Sequence, residues 1–98
     1  MSLAVRFLPA ARLELRKAVE FYDAQVSGLG DEFAHAVERT IQQAARNPYH
    51  GREVLEGNPR LLLDRFPYSV VYRTHADTLV VVAVAHQRRK PIYWQSRF

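Results

Sequence analysis

Basic and aromatic side chains gather in the second half of this sequence, and they are the residues whose chemistry stands out. They are Arg60, Arg65, Arg73, His86, Arg88, Arg89, Tyr93 and Trp94. Arginine offers a planar fork of donors that matches a phosphate or a carboxylate. Aromatic rings offer surfaces on which a base can stack, or anchors for a protein interface. These residue types together predict an anionic partner.

Some of the same residues have the chemistry of metal-free RNA cleavage. That reaction needs a base for the 2′-hydroxyl, a cation for the developing charge and an acid for the leaving oxygen. Histidine, arginine and tyrosine can fill these parts. Each of these residues also has a purely structural interpretation. The histidine would be a satisfied polar group at a strand end, the aromatic pair would close a core, and the basic run would be a solvated turn. Residue types alone leave both interpretations open.

The charge of the chain is uneven. Residues 1–50 hold six Lys/Arg and six Asp/Glu, whereas residues 51–98 hold eight Lys/Arg and four Asp/Glu. The whole formal charge of +4 therefore lies in the second half. A basic patch on one side of a small domain favours a polyanion or an acidic protein as its partner.

Several classes of protein are disfavoured. The chain has no cysteine, and its four histidines are too widely spaced for a metal-binding pair, so we expect neither a metal nor a cofactor. The longest apolar run, residues 79–85, is far shorter than the ~20 residues of a membrane span. The start of the sequence has no signal-peptide pattern. We therefore predict a cytoplasmic protein without a membrane partner.

The first half of the sequence predicts a strand followed by two helices. Residues 3–7 alternate as in a strand, and Pro9 suits the first turn of a helix. Residues 27–30 interrupt the helical pattern, with Gly28 suited to a left-handed conformation. Asp31 is the predicted cap of the second helix, which ends at residues 47–48. The short link between the helices predicts an antiparallel hairpin.

The second half predicts strands. Residues 49–59 are expected to form a loop with a short strand at 53–55, and three further strands cover residues 60–66, 69–74 and 78–86. The last strand is apolar at successive positions, which predicts burial on both faces. The order β-α-α-β-β-β indicates an α+β fold, with a helical hairpin on a mostly antiparallel twisted sheet. Its length suits a single domain, residues 1–98.

Two segments of the predicted strands carry a resemblance to a known family. Residues 65–73 read RFPYSVVYR and residues 84–89 read VAHQRR. With them come the strand that leads into Pro9, an alanine-rich first helix that contains Phe21-Tyr22, the stretch GLGDEF and Asn47-Pro48. In this order, these features resemble the RelE/ParE superfamily of type II toxin–antitoxin toxins, over nearly the whole chain.

The resemblance implies a bacterial growth inhibitor that a cognate antitoxin neutralises. RelE-like members of the superfamily cleave mRNA on the ribosome without a metal, whereas ParE-like members act on DNA gyrase. For a RelE-like activity, the resemblance implies catalytic roles for Arg60, Arg89 and Tyr93, and we add His86 as a further candidate.

This sequence departs from the RelE-like pattern at two positions. Leu62 replaces a lysine and Ser69 replaces an arginine, so a proton acceptor and a cation are missing. The run His86-Gln87-Arg88 is closer to ParE-like members. The resemblance therefore favours a ParE-like protein, which would not be an enzyme. The alternatives are a RelE-like endoribonuclease and a non-toxic relative that only binds an antitoxin.

The remaining basic and aromatic residues are candidates for binding the target or the antitoxin: Arg65, Arg73, Arg88, Lys90 and Trp94. The expected antitoxin has an acidic C-terminal segment that folds on binding, on the exposed flank of the helical hairpin and on one sheet edge. DNA gyrase or the ribosome with its mRNA is the expected target, and operator DNA is expected to bind only through the antitoxin. We expect the arginines to converge on one cationic hollow beside a partly buried Trp94.

Overall fold

A computed structural model describes residues 2–97 of the chain. Two helices and five strands follow one another, and a short 3-10 helix ends the described chain. Their bounds are β1 (Ala4–Phe7), α1 (Pro9–Gln25), α2 (Leu29–Arg46), β2 (Arg52–Leu55), β3 (Asn58–Leu62), β4 (Tyr68–His75), β5 (Thr78–His86) and the 3-10 helix Tyr93–Arg97.

The strands form one sheet in the order β1-β5-β4-β3-β2. The strand β1 is parallel to β5, and the other three pairs of neighbours are antiparallel. The two helices pack against each other and against one face of this sheet. The predicted α+β fold, a helical hairpin on a mostly antiparallel sheet, is confirmed. The bounds of β5 match the prediction, and the short strand expected at residues 53–55 is β2.

The junction between the helices differs from its prediction. The helix α1 ends at Gln25 with an extended Val26, and Gly28 has the predicted left-handed conformation, with φ +89°. The residue that caps the second helix is Gly28, so the predicted cap at Asp31 is wrong. Asp31 lies inside the first turn, where its negative charge still favours the helix N-terminus. The carboxylate that binds the backbone here is that of Asp23, which accepts from the N–H groups of Gly28 and Gly30.

The strand predicted over residues 60–66 exists as β3, but its predicted bounds are wrong, because β3 runs from Asn58 to Leu62. A tight turn follows, and Arg65 adopts a left-handed φ of +69° within it. The N–H of Leu63 donates to the carbonyl of Tyr68, which closes the turn. Leu63 and Phe66 are both buried in the core beneath the helices. Apolar side chains in this turn therefore gave the pattern of a longer strand.

The sheet has an apolar cluster on each face. The larger cluster lies under the helices, and the smaller cluster lies on the other face, where Ile92, Tyr93 and Trp94 of the C-terminal segment cover the sheet. The strand β5 contributes to both, as predicted from its continuous apolar run. Among the described residues, no helix combines the length and the apolar character that crossing a bilayer requires.

Candidate functional site

A small hollow opens where the C-terminal segment crosses the end of β5. It has a volume of about 80 Å³. The strand β3 contributes Arg60, the end of β5 contributes His86, and the following turn contributes Arg89 and Lys90. Tyr93 and Trp94 line the same hollow from the 3-10 helix. Two strands, the turn after β5 and the C-terminal segment thus bring together all four candidate catalytic residues and two of the candidate binding residues.

The carboxylate of Glu14, on α1, fastens the C-terminal segment to the rest of the protein. It accepts two hydrogen bonds from the Arg97 guanidinium, at 2.8 and 2.9 Å, and one from the Tyr93 hydroxyl at 2.5 Å. Arg89 lies 3.5 Å from the same carboxylate. The side chain of Glu14 is only 13% exposed. An ion pair this shielded is screened less by salt than a pair on the surface, so it holds the tail firmly.

Glu14 and Arg97 also complete the edge of the sheet. The strand β1 pairs only with residues 78–81, so β5 continues beyond it with an open edge. Glu14 accepts from the N–H of Val84 at 3.0 Å, and Arg97 donates to the carbonyl of Val82 at 2.9 Å. Backbone groups that would otherwise lack a strand partner are thereby satisfied.

The hydroxyl of Tyr93 donates its hydrogen bond to Glu14. Burial, and then its hydrogen bond to Glu14, raise the pKa of Tyr93 above its ordinary value. Arg89 stacks on the ring at 3.8 Å from its centroid, and Arg97 lies at 5.1 Å. In this geometry the hydroxyl serves as a donor to a carboxylate, and its proton is held more tightly than that of a free tyrosine.

His86 is held by two contacts. Its Nδ1 accepts from the N–H of Arg88 at 3.0 Å, and its ring packs edge-on against Tyr68 with the centroids 5.0 Å apart. When Nδ1 accepts, the neutral ring carries its proton on Nε2 and has no further lone pair for a second proton. The imidazole must therefore break its contact with Arg88 before it can act as a general base.

Two of the predicted binding residues lie away from the hollow. Arg65 is in the turn after β3 and forms an exposed ion pair with Glu32 at 2.8 Å. Arg73 is near the far end of β4, opposite Val80. Leu62 and Ser69 are paired across β3 and β4 and bring no charge to the site, as the sequence already shows. Trp94 was expected to be partly buried, and it is only 2% exposed.

The arginines of the strands share one face of the sheet, which we call the cationic face. Phe7, Leu61 and Tyr72 point into the core under the helices, so their neighbours along each strand point the other way. The register places Arg52 directly opposite Arg60, and Arg6 and Arg73 on either side of Val80. All four arginines of the five strands therefore lie on this face: Arg6, Arg52, Arg60 and Arg73.

The strands carry a single carboxylate, Glu53, and alternation places it on the opposite side from Arg52. The cationic face therefore has no acidic residue at any strand position. Arg88 and Lys90 extend the positive charge beyond the end of β5, and both are exposed.

A different surface lies beside the helices. The helix groove, as we call it, is a cleft of about 330 Å³ between α1, α2 and β1. Its walls are mostly apolar, with one basic and one acidic side chain, and they comprise Val5, Phe7, Arg12, Leu15, Ala34, Val37, Glu38, Ile41 and Gln42. The strand β1 borders this groove and is an edge strand.

Sequence reasoning missed Glu14 and Arg97, which tie the site together. Both look like ordinary surface charges in the sequence, because their contact spans 83 residues. One feature of the sequence points to Glu14, because its spacing from Ala11 and Ala18 places it on the buried face of α1. Only the packing of the tail against α1 identifies its partner.

The chain is similar to known proteins in both sequence and fold. The family described as the ParE toxin of the type II toxin–antitoxin system, parDE, matches residues 5–91. A solved structure titled as the chromosomal ParDE TA system from P. aeruginosa superposes with a TM-score of 0.67 at 15% sequence identity, covering 87% of this chain and 96% of that one. No curated protein matches the sequence significantly. The family match spans most of the chain, and the protein therefore belongs to the ParE toxin family of type II toxin–antitoxin systems.

Proposed function

We propose that this protein inhibits bacterial growth by binding DNA gyrase, and that a cognate antitoxin neutralises it. Membership of the ParE toxin family, through a match over residues 5–91, is the observation that carries this proposal. The solved structure with the same fold is titled as a ParDE system, which supports a toxin that is paired with an antitoxin.

The geometry of the hollow supports binding over RNA cleavage. The hydroxyl of Tyr93 is bound to Glu14, and the Nδ1 of His86 is bound to the backbone of Arg88. Leu62 and Ser69 offer no ionisable group. A cleavage site needs a proton acceptor, a proton donor and a cation in reach of one phosphate. Of the cations that line the hollow, Arg89 is paired with Glu14, whereas Arg60 forms no ion pair within residues 2–97.

The helix groove suits the antitoxin. A segment that folds on binding gains affinity from apolar side chains that enter a groove, and from hydrogen bonds to an open strand edge. The groove offers apolar walls, and the neighbouring edge strand β1 offers the open strand edge. The net charge of the whole chain, +4, favours an acidic antitoxin, although the two charges that line the groove itself balance each other.

A supercoiling assay with purified gyrase and relaxed plasmid tests the toxin function. Addition of the purified chain at micromolar concentration is expected to block supercoiling or to accumulate cleaved plasmid. Prior addition of the antitoxin encoded by the neighbouring reading frame should restore the reaction. Undiminished supercoiling at that concentration would contradict action on gyrase.

A second candidate function is ribosome-dependent mRNA cleavage, because Arg60, His86 and Arg89 line one hollow. Primer extension on mRNA in a translating extract would then reveal new 5′ ends that vanish in the Arg89→Ala variant. If neither gyrase nor mRNA is affected and cells that express the chain alone grow normally, the protein is a non-toxic relative that only binds its antitoxin.

A further inference from the structure

Two arginines of the cationic face are placed where their charges repel each other. Arg52 and Arg60 occupy directly opposite positions on neighbouring antiparallel strands. Like charges at such positions repel each other and destabilise a sheet. Within residues 2–97, no carboxylate forms an ion pair with either of them. An anion that bridges the two guanidinium groups would relieve this repulsion.

The hollow continues the same surface toward the C-terminal segment. Arg60 belongs to both features, since it faces Arg52 on one side and lines the hollow on the other. Arg89 and Lys90 line the same hollow. The positive charge therefore runs from β2 across the sheet to the turn after β5, a path suited to an extended polyanion rather than to one isolated ion.

The chemistry of this path favours phosphates over a protein segment. Peptides that fold onto a partner rely on apolar anchors in pockets. Among the strand residues of the cationic face, Leu62 is the large apolar side chain that stays exposed, at 56%. Arginine forks, by contrast, match the two free oxygens of a phosphodiester.

The aromatic residues of the tail favour a duplex over a single strand. Proteins that hold single strands stack bases on open aromatic faces. Trp94 is buried, and Arg89 and Arg97 both lie against the ring of Tyr93. These two aromatic residues therefore present no ready platform for a base, and the surface is suited to a backbone whose bases are already paired.

We infer that the cationic face binds the phosphate backbone of duplex DNA, independently of its sequence, through Arg52, Arg60 and Lys90. The choice of DNA over other duplex polyanions rests on the proposed action on gyrase, whose substrate is DNA. This contact differs from recognition of operator DNA, which is sequence-specific and was expected to require the antitoxin. It would place the toxin on DNA that gyrase is holding.

Fluorescence anisotropy with a labelled 20-base-pair duplex tests the inference. The wild-type chain is titrated between 50 and 200 mM salt, beside the Arg52→Gln/Arg60→Gln variant. Each phosphate contact contributes about 0.9 to the slope of log K against log salt. The variant is therefore expected to lower the magnitude of that slope by about 2, and to weaken binding at least about tenfold at 50 mM salt.

The Arg39→Gln/Arg46→Gln variant is the matched control. It removes the same charge from exposed positions of α2, which lie on the other side of the sheet. Its slope and affinity are expected to stay close to those of the wild type. Thermal unfolding of all three proteins checks that none of them has lost its fold.

Several results would overturn the inference. Equal weakening in both double variants would mean that net charge, and not this face, attracts DNA. Absence of duplex binding at 50 mM salt would reject the site, as would tighter binding of single-stranded RNA of the same length. Binding of polyglutamate but not of DNA, lost in Arg52→Gln/Arg60→Gln, would assign the face to a protein partner. If gyrase inhibition persists while duplex binding is absent, the inference fails and the proposed function stands.

Discussion

The two sides of this molecule differ in chemistry although one sheet supports both. On one side, the strand arginines form a face with no carboxylate at any strand position. On the other side, the helix groove has mostly apolar walls and a balanced pair of charges, Arg12 and Glu38. The proposed binding of DNA and of an antitoxin would therefore use two surfaces that lie apart.

The alternation of side chains along a strand makes this division possible. Each strand sends one residue toward the helices and the next residue away from them. In β3 and β4, Leu61 and Tyr72 enter the core while Arg60 and Arg73 face the other way. The division would fail after a shift of one residue in register, because the arginines would then enter the core.

The largest effect is expected at Trp94, which covers the sheet on the same side as the cationic face. Its side chain closes the smaller apolar cluster together with Val71, Val82 and Ala83. Trp94→Ala is expected to lower the free energy of unfolding by about 3–5 kcal/mol, since it leaves a cavity in a buried cluster. Urea denaturation measures the change.

Phe21→Ala is the control for Trp94→Ala from the helix side. Phe21 is 57% exposed on α1, so its truncation should change the free energy of unfolding by less than about 1 kcal/mol. Equal losses in the two variants would show that the tail does not form a second core.

The second prediction concerns the helix groove and its partner. Ala34 lines the groove, and Ala34→Glu would fill part of it and add a negative charge. If the antitoxin occupies the groove with an acidic segment, its affinity should fall about 30-fold, which corresponds to about 2 kcal/mol. Isothermal titration with the antitoxin measures this change.

A matched substitution lies on the first helix. Ala24 is exposed on α1 and does not line the groove, so Ala24→Glu should leave the affinity for the antitoxin unchanged. The Arg52→Gln/Arg60→Gln variant should lose far less affinity than Ala34→Glu. The reverse order would assign the antitoxin to the cationic face.

The third prediction concerns Tyr93, which joins the two sides through Glu14. Its raised pKa means that the folded state keeps the phenolic proton at a pH where the unfolded chain loses it. The contribution of this hydroxyl to the free energy of unfolding is therefore fully present below about pH 10. It falls as the pH rises beyond that value toward the raised pKa. Tyr93→Phe should cost about 1.5 kcal/mol at pH 8, where the hydrogen bond to the carboxylate is lost, and should show a shallower decline from pH 10 to 11.

Urea denaturation at pH 8, 10 and 11 measures both changes. The pKa values of Tyr22, Tyr68 and Tyr72 are also raised, so part of the alkaline decline should remain in Tyr93→Phe. Tyr49→Phe is the control, because Tyr49 is 93% exposed. A decline as steep in Tyr93→Phe as in the wild type would show that the hydroxyl is not held by Glu14.

Much of the fold follows from local patterns in the sequence. The apolar run of β5 fixed the bounds of that strand and its burial on both faces, and the break at Gly28 separated the helices. The error over residues 60–66 arose because Leu63 and Phe66 are buried in a turn, and burial alone does not distinguish a turn from a strand. The residue type of Asp31 predicts a cap, but the left-handed Gly28 before it already begins the helix.

The candidate site was less accessible to sequence reasoning. The basic residues at the end of β5 were recognisable, because they are close in sequence. The cationic face was not, since it depends on the register that sets Arg52 opposite Arg60 and Arg6 beside Val80. The carboxylate of Glu14 was hidden for the same reason, because its partner Arg97 is distant along the chain.

The smallest effect is expected in the turn between β4 and β5, remote from the hollow. Ala76 has a left-handed φ of +53°, which costs an L-residue about 1–2 kcal/mol. Ala76→Gly removes this strain but makes the unfolded chain more flexible, so the net gain in the free energy of unfolding should be about 0.5 kcal/mol. The affinities for DNA and antitoxin should not change. Ala24→Gly, in the last turn of α1, should instead lower the free energy of unfolding, by less than about 1 kcal/mol. If Ala76→Gly altered either affinity, the differences between the two sides would reflect global stability rather than the residues that line each surface.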